Sequence, residues 1–224
     1  MNISLLFVAL GVALMVWCLL ISQLQTKPWV SKGLVQEQGA VSLPAPRVGL
    51  WVFLAVVTSL FGLFAVVYNM RAEFPDWRPL PDPNLLWFNT ALLILGSIAL
   101  QRARSVSEKP NLDGLKWSLT TGGLLTIGFL FGQLIAWRQL AGSGYAFTTN
   151  PADAFFYLLT GIHGLHLLGG LWFWARANLK VWGNVATYSI EEVAHLRLSV
   201  QLCSVYWHYL LLIWLILFGL LLST

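Results

Sequence analysis

Charge is what this sequence has least of. Asp, Glu, Lys and Arg make up 10% of its 224 residues, against 58% hydrophobic residues. A soluble domain carries about 25% charged residues. With so little polar surface to cover an apolar core, a soluble fold is excluded and an integral membrane protein is expected. The basic excess, 13 Lys and Arg over 9 Asp and Glu, does not point to nucleic acid. The basic residues sit in short loops between apolar runs, where they act as topology signals. Cysteine is nearly absent: Cys18 and Cys203 both fall inside apolar runs, which excludes a disulfide framework and makes them small buried hydrophobes. No Lys or Arg precedes Ile3, and the apolar run Ile3 to Leu24 exceeds the roughly 7–15 residues of a signal-peptide core. Residues 1–24 therefore read as a retained, extra N-terminal transmembrane helix, with 25–47 a polar cytoplasmic linker. Apart from Asp153 at an edge, the apolar runs hold no carboxylate, which argues against an ion pump.

What is present is a series of further apolar runs: Val48 to Met70, Leu85 to Ala103, Leu115 to Trp137, Ala152 to Ala177 and Leu198 to Leu222. Each is long enough to cross a bilayer, which takes about 20 residues. The expected fold class is all-α, a polytopic bundle of about six transmembrane helices. Pro75, Pro79, Pro81 and Pro83 break the chain between two spans. Thr90, Ser97 and Gln101 share one helix face, and Gly122, Thr126 and Gln133 share another. Both faces should point into protein. Gly128 and Gly132 form a small-xxx-small pair. Lys27, Lys32, Arg47, Arg102, Arg104, Lys109, Lys116, Arg176, Lys180 and Arg197 lie in the odd loops. Arg71, Arg78 and Arg138 alone lie in the even ones. By the positive-inside rule the odd loops are cytoplasmic and both termini are on the outer, periplasmic side.

Two spans carry the chemistry. The stretch Phe155 to Ala177 places His163, His166 and Gly170 on one face, with Thr160 and Gly164 beside it. Leu198 to Leu222 contains Tyr206-Trp207-His208. All three histidines fall near mid-depth. A di-haem membrane cytochrome stacks four histidines at two depths, which this is not. No carboxylate or thiolate completes a metal set. No metal site and no catalytic group is assigned. The residues alone leave two readings open: histidines that hydrogen-bond across helices and fix their packing, or a site of unassigned chemistry.

Short motifs then narrow the choice. Gly49-Leu50-Trp51-Val52-Phe53-Leu54-Ala55 opens one span, and the proline-rich loop leads into Trp87-Phe88-Asn89-Thr90. Thr160-Gly161-Ile162-His163-Gly164-Leu165-His166 with Gly169-Gly170 and Tyr206-Trp207-His208 follow in order. From about Gly49 onward the chain resembles subunit III of the haem-copper cytochrome c oxidases. The resemblance implies a five-helix membrane bundle over 48–224 in the bacterial inner membrane. It implies an accessory subunit with no cofactor of its own, haem and copper being held by its partners, oxidase subunits I and II. Cytochrome c would be the electron donor to a proton-pumping complex that reduces O₂ to water. It further implies a phospholipid cleft or helix interface at His163, His166, His208, Gly164, Gly170, Trp207 and Gln201. A subunit interface would involve Trp51, Asn89, Thr90 and Ser97. The family's buried carboxylates are replaced by Val57, Gln201 and Leu211, so a proton-carrying role is not expected. The equivalent subunit of a quinol oxidase or nitric oxide reductase is the alternative. A stand-alone transporter is weaker, because no inverted repeat relates the halves.

Overall fold

The start of each helix is set by the residue that caps it. Asn111 accepts the Gly114 N–H and opens one helix at Leu112. Asn150 accepts from Ala152, with Pro151 as the first helical residue, where its missing N–H costs nothing. Ser189 and Glu192 form a reciprocal capping box ahead of Ile190.

The structure, a computed structural model, describes residues 45–81, 84–109, 111–183 and 188–223. The expected helix over 1–24 and most of the 25–47 linker lie outside the described residues. Within them are five helices: α1 Ala45–Ala72, α2 Asn84–Ser107, α3 Leu112–Gly142, α4 Pro151–Trp182 and α5 Ile190–Leu222. Each is long and apolar enough to cross a membrane. Among the described residues there is no strand.

The helices run further than hydropathy alone indicates. α1 starts at Ala45 rather than Val48, and the stretch Asn178 to Arg197, which lies between two of the apolar runs, is largely the end of α4 and the start of α5. Helices of 32 and 33 residues span about 50 Å, against about 30 Å of hydrocarbon. The polar caps therefore stand in the interface, where hydropathy marks a loop although the backbone is still helical.

The chain divides into two units, residues 1–63 and 64–224. The described part of the first is the leading portion of α1, in which Leu54, Val57 and Phe61 form a buried stripe. In the second unit α2 packs most extensively on α3 and also on α5, while α4 packs on α5 and α3. The α2–α3 seam is close because it is built from small residues. A Cβ placed on Gly122 would lie 3.3 Å from the Gly96 carbonyl, and one on Gly96 would lie 3.4 Å from the Gly122 carbonyl. Lipid offers helices no hydrophobic reason to associate, so close approach of this kind supplies the attraction. At the other end of the unit, Trp77 packs edge-on against Tyr68, 5.0 Å between centroids, and leans on Phe155 of α4. This holds the proline-rich loop down. Asn150 adds to it by bonding both the backbone N–H and the carbonyl of Arg78.

Candidate functional site

A hydroxyl inside a membrane helix can donate to the carbonyl one turn back and still accept from elsewhere. Thr90 donates to Leu86 O, Thr126 to Gly122 O and Thr160 to Phe156 O, at 2.8, 3.0 and 2.6 Å. Each hydroxyl then accepts an indole N–H from another helix. Trp214 of α5 reaches Thr90 of α2 at 2.9 Å, and Trp207 of α5 reaches Thr126 of α3 at 2.8 Å. Trp137 of α3 reaches Thr160 of α4 at 3.0 Å. Trp174 of α4 lies against Gly123 and donates to Leu119 O of α3 at 2.8 Å. Four tryptophans thus join four helices through groups that lipid could not satisfy.

Trp214 is where all four meet. Its ring is fully buried, sits 4.8 Å edge-on from Phe129 of α3, and lies 5.4 Å from His163 of α4. His163 is likewise fully buried, with Phe129 on another side at 6.0 Å. The most deeply placed histidine is therefore a core residue among aromatic rings.

The other two histidines are placed differently. The His166 ring is half-buried, with Nδ1 2.8 Å from Ile162 O of its own helix, and the His208 ring is exposed, with Nδ1 2.6 Å from Ser204 O of its own helix. The bond that ties α4 to α5 here uses a histidine backbone: Tyr206 Oη donates to His166 O at 2.9 Å. His208 lies on the α5 stripe of Ser204, which bonds Gln101 of α2 at 3.3 Å. The hydrogen bond seen between α4 and α5 at this level is thus made by the Tyr206 hydroxyl. α5 is packed between α2 and α4, so the stripe bearing Ser204 and His208 turns to α2 while Tyr206 and Trp207 turn to α4 and α3.

The set expected at a lipid cleft or helix interface divides on the same ground. His163 and Trp207 are buried, and so is Gly170, where a Cβ would come within 2.6 Å of the Tyr206 ring. These three pack helix on helix. Gly164, His166 and Gln201 are half-buried and His208 is exposed.

The residues expected at a subunit interface are placed as follows. Asn89, Thr90 and Ser97 are 0%, 6% and 3% exposed and face this chain's own bundle. Asn89 is pressed against Gly132, donates to Gln133 Oε1 at 3.5 Å, and has α3 as its neighbour. The polar stripe on α2 did need a protein partner, and this chain supplies it. Trp51, on α1, is exposed.

Among the described residues no three His, Cys, Asp or Glu side chains come together to hold a metal ion. Cys203 is a buried free thiol. Asp153, which sequence alone places at a span edge, is completely buried in the first turn of α4, and neither carboxylate oxygen has a hydrogen-bond partner among the described residues. The local pattern gave no sign of that burial.

The four helices built this way fall within the part of the chain that known proteins share. A family model of cytochrome c oxidase subunit III matches residues 77–222, which takes in α2 to α5. The cytochrome c oxidase subunit 3 of Thermostichus vulcanus is 31% identical over 210 residues, 85% of this chain and 96% of that protein. The probable cytochrome c oxidase subunit 3 of Mycobacterium tuberculosis H37Rv is 31% identical over 177 residues, 76% and 84% of the two chains. The cytochrome bo(3) ubiquinol oxidase subunit 3 of Buchnera aphidicola is 25% identical over 176 residues, 76% and 87% of the two chains. This chain belongs to the cytochrome c oxidase subunit III family.

Proposed function

We propose that this chain is the accessory third subunit of a proton-pumping haem-copper terminal oxidase in a bacterial inner membrane, and that the complex takes electrons from cytochrome c. The observation that carries the reading is the family match across α2 to α5, joined to relatives named as cytochrome c oxidase subunit 3 along most of their length. The chain stabilises the catalytic subunit and has no redox centre of its own. The scattered histidines support this: one is in an aromatic core and the others are turned to their own helix backbones. Both termini face the periplasm, as the loop charges indicate. Phospholipid is retained along the accessible faces that carry Gly164, His166, Gln201 and His208.

A second reading, subunit 3 of a ubiquinol oxidase, is favoured by the likeness to the Buchnera aphidicola protein. One experiment separates the two. The tagged chain is purified from its native membranes, and O₂ consumption is measured with reduced cytochrome c and with ubiquinol. Co-purification of a haem-copper subunit and a dicopper subunit, with turnover on cytochrome c, is expected. Turnover on ubiquinol alone moves the assignment to the second reading. Absence of any haem-copper partner refutes both.

A further inference from the structure

The buried threonines of the bundle are answered within this chain, as Thr90, Thr126 and Thr160 are by indoles. One polar strip between α2 and α5 is not. Gln101 of α2 and His208 of α5 are both exposed. Ser204 links them: its hydroxyl donates to Gln101 Oε1 at 3.3 Å, and its carbonyl lies 2.6 Å from His208 Nδ1. A carbonyl only accepts, so Nδ1 carries a proton, and Nε2 of the neutral ring is then an acceptor. His208 Nε2 has no hydrogen-bond partner among the described residues, and neither has the side-chain nitrogen of Gln101.

Depth makes this costly. His208 is the eleventh residue of the run Leu198 to Leu222, about 15 Å into a hydrocarbon layer of about 30 Å. An acyl chain offers neither donor nor acceptor, and headgroups and water do not reach mid-depth. Ionisable side chains inside a membrane almost always face protein or a water-filled cavity. The neighbours of this strip are apolar and exposed: Ile98, one turn from Gln101, and Leu212, one turn from His208. The outer face of α4 offers the contrast, with Leu165, Leu168 and Trp172 exposed and no polar atom to answer. The α2–α5 face thus presents an acceptor and a donor within an apolar surround. Side chains that donate and accept at once, Ser, Thr, Asn and Gln, match that pattern and are the ones that bond across membrane helices.

We infer that the face bearing Gln101 and His208 docks a transmembrane helix of another oxidase subunit, through a hydroxyl or amide side chain that donates to His208 Nε2 and accepts from Gln101. This rests on the assignment of the chain to an oxidase. Phospholipid retained along the same faces fills the space around such a contact and leaves the imidazole to the protein partner.

The test uses the tagged full-length chain in its native membranes. Ile98, Leu212 and, as control, Leu165 are each replaced by the photoreactive p-benzoylphenylalanine, and the adducts formed on irradiation are identified by mass spectrometry. Positions 98 and 212 are expected to join a transmembrane segment of one other oxidase subunit that carries Ser, Thr, Asn or Gln at mid-depth, and position 165 is not. His208→Leu should leave about three-fold more of that subunit dissociated in a detergent wash, the factor for an average interhelical hydrogen bond in a membrane. His208→Gln, which keeps an acceptor, should retain it as the parent does. Replacing the partner's polar residue by Leu should match His208→Leu and add nothing to it. Adducts with lipid alone, with a second copy or within this chain overturn the inference, as does equal labelling from position 165 or unchanged retention in His208→Leu. A preparation with no haem-copper subunit refutes the oxidase assignment and the inference together. A haem-copper complex that forms without adducts from positions 98 and 212 refutes the inference alone.

Discussion

Replacing Gly123 by alanine sets two effects of opposite sign against each other. In a helix interior, glycine to alanine normally gains about 1 kcal/mol from propensity. Gly123, however, lies under the Trp174 indole: an added Cβ would stand 2.0 Å from Cζ2 and 2.1 Å from Cε2 of that ring. Trp174 is nearly fully buried and is held by its bond to Leu119 O, so it cannot swing away without losing that partner. Overpacking a tight contact costs about 1–3 kcal/mol, occasionally more. A buried indole N–H left without its acceptor adds about 1–3 kcal/mol. The steric term wins, and a net loss of about 2–4 kcal/mol is expected. In a chain of this size that is a fall in Tm on the order of 10 °C. The assay is thermal unfolding of the purified protein in detergent, followed by circular dichroism. Gly169→Ala is the control, since no atom lies within 4 Å of its added Cβ, and it should hold or raise Tm. Trp174→Phe removes the offending ring atoms. Combined with Gly123→Ala it should be less damaging than the sum of the two, with a coupling of about 0.5–3 kcal/mol. A Gly123→Ala variant as stable as Gly169→Ala, or strict additivity with Trp174→Phe, would refute the reasoning.

Further outcomes follow from the same contacts. Thr126→Val and Thr90→Val keep the side-chain shape but remove the acceptors of Trp207 and Trp214, so each should lower stability by about 0.6–1.5 kcal/mol, while Ser105→Ala on an exposed face should not; equal effects at all three positions would count against the indole–threonine bonds. Gly132→Ala should destabilise because its Cβ would lie 2.1 Å from Asn89 Oδ1 of a fully buried side chain, and Asn89→Ala should relieve it; a Gly132→Ala variant that unfolds at the parent temperature contradicts the packing. Asp153→Asn should fold with unchanged or higher Tm, because the carboxylate has no hydrogen-bond partner among the described residues; a large loss would show that the charge itself is needed. The Arg71 guanidinium, hydrogen-bonded to Asp76, holds that exposed carboxyl below its ordinary range. A lowered native pKa adds stability above the unfolded value, about 3.9 for Asp, and loses it as pH falls through the native value. The Tm difference between parent and Asp76→Asn should therefore be constant from pH 5.5 to 8 and shrink below about pH 4; a difference that changes between pH 6 and 8 would assign the effect to another group.

Local properties of the sequence were enough to establish the class, the spans in the described chain, the inward direction of Thr90 and Ser97 and the family, while Gln101, expected on the same inward face, is exposed. Hydropathy and helical period are summed over neighbours along the chain, and these conclusions need nothing else. Helix ends were less legible, since caps such as Ser189 with Glu192 sit in polar segments that resemble loops. Which helix answers which was decided by tertiary structure. The polar face of α2 could equally have met another subunit, and it met Trp214 and Gln133 of this chain. His163 and His208 share a depth and a residue type, yet one is enclosed by Phe129 and Trp214 and the other is exposed. Gly123 differs from Gly169 in nothing the sequence displays. In a bilayer, apolar surface gains little by leaving lipid, so helices choose partners by steric fit and by hydrogen bonds that lipid cannot supply. Those depend on residues up to 124 positions apart, as Trp214 and Thr90 are, and come together only in the folded bundle.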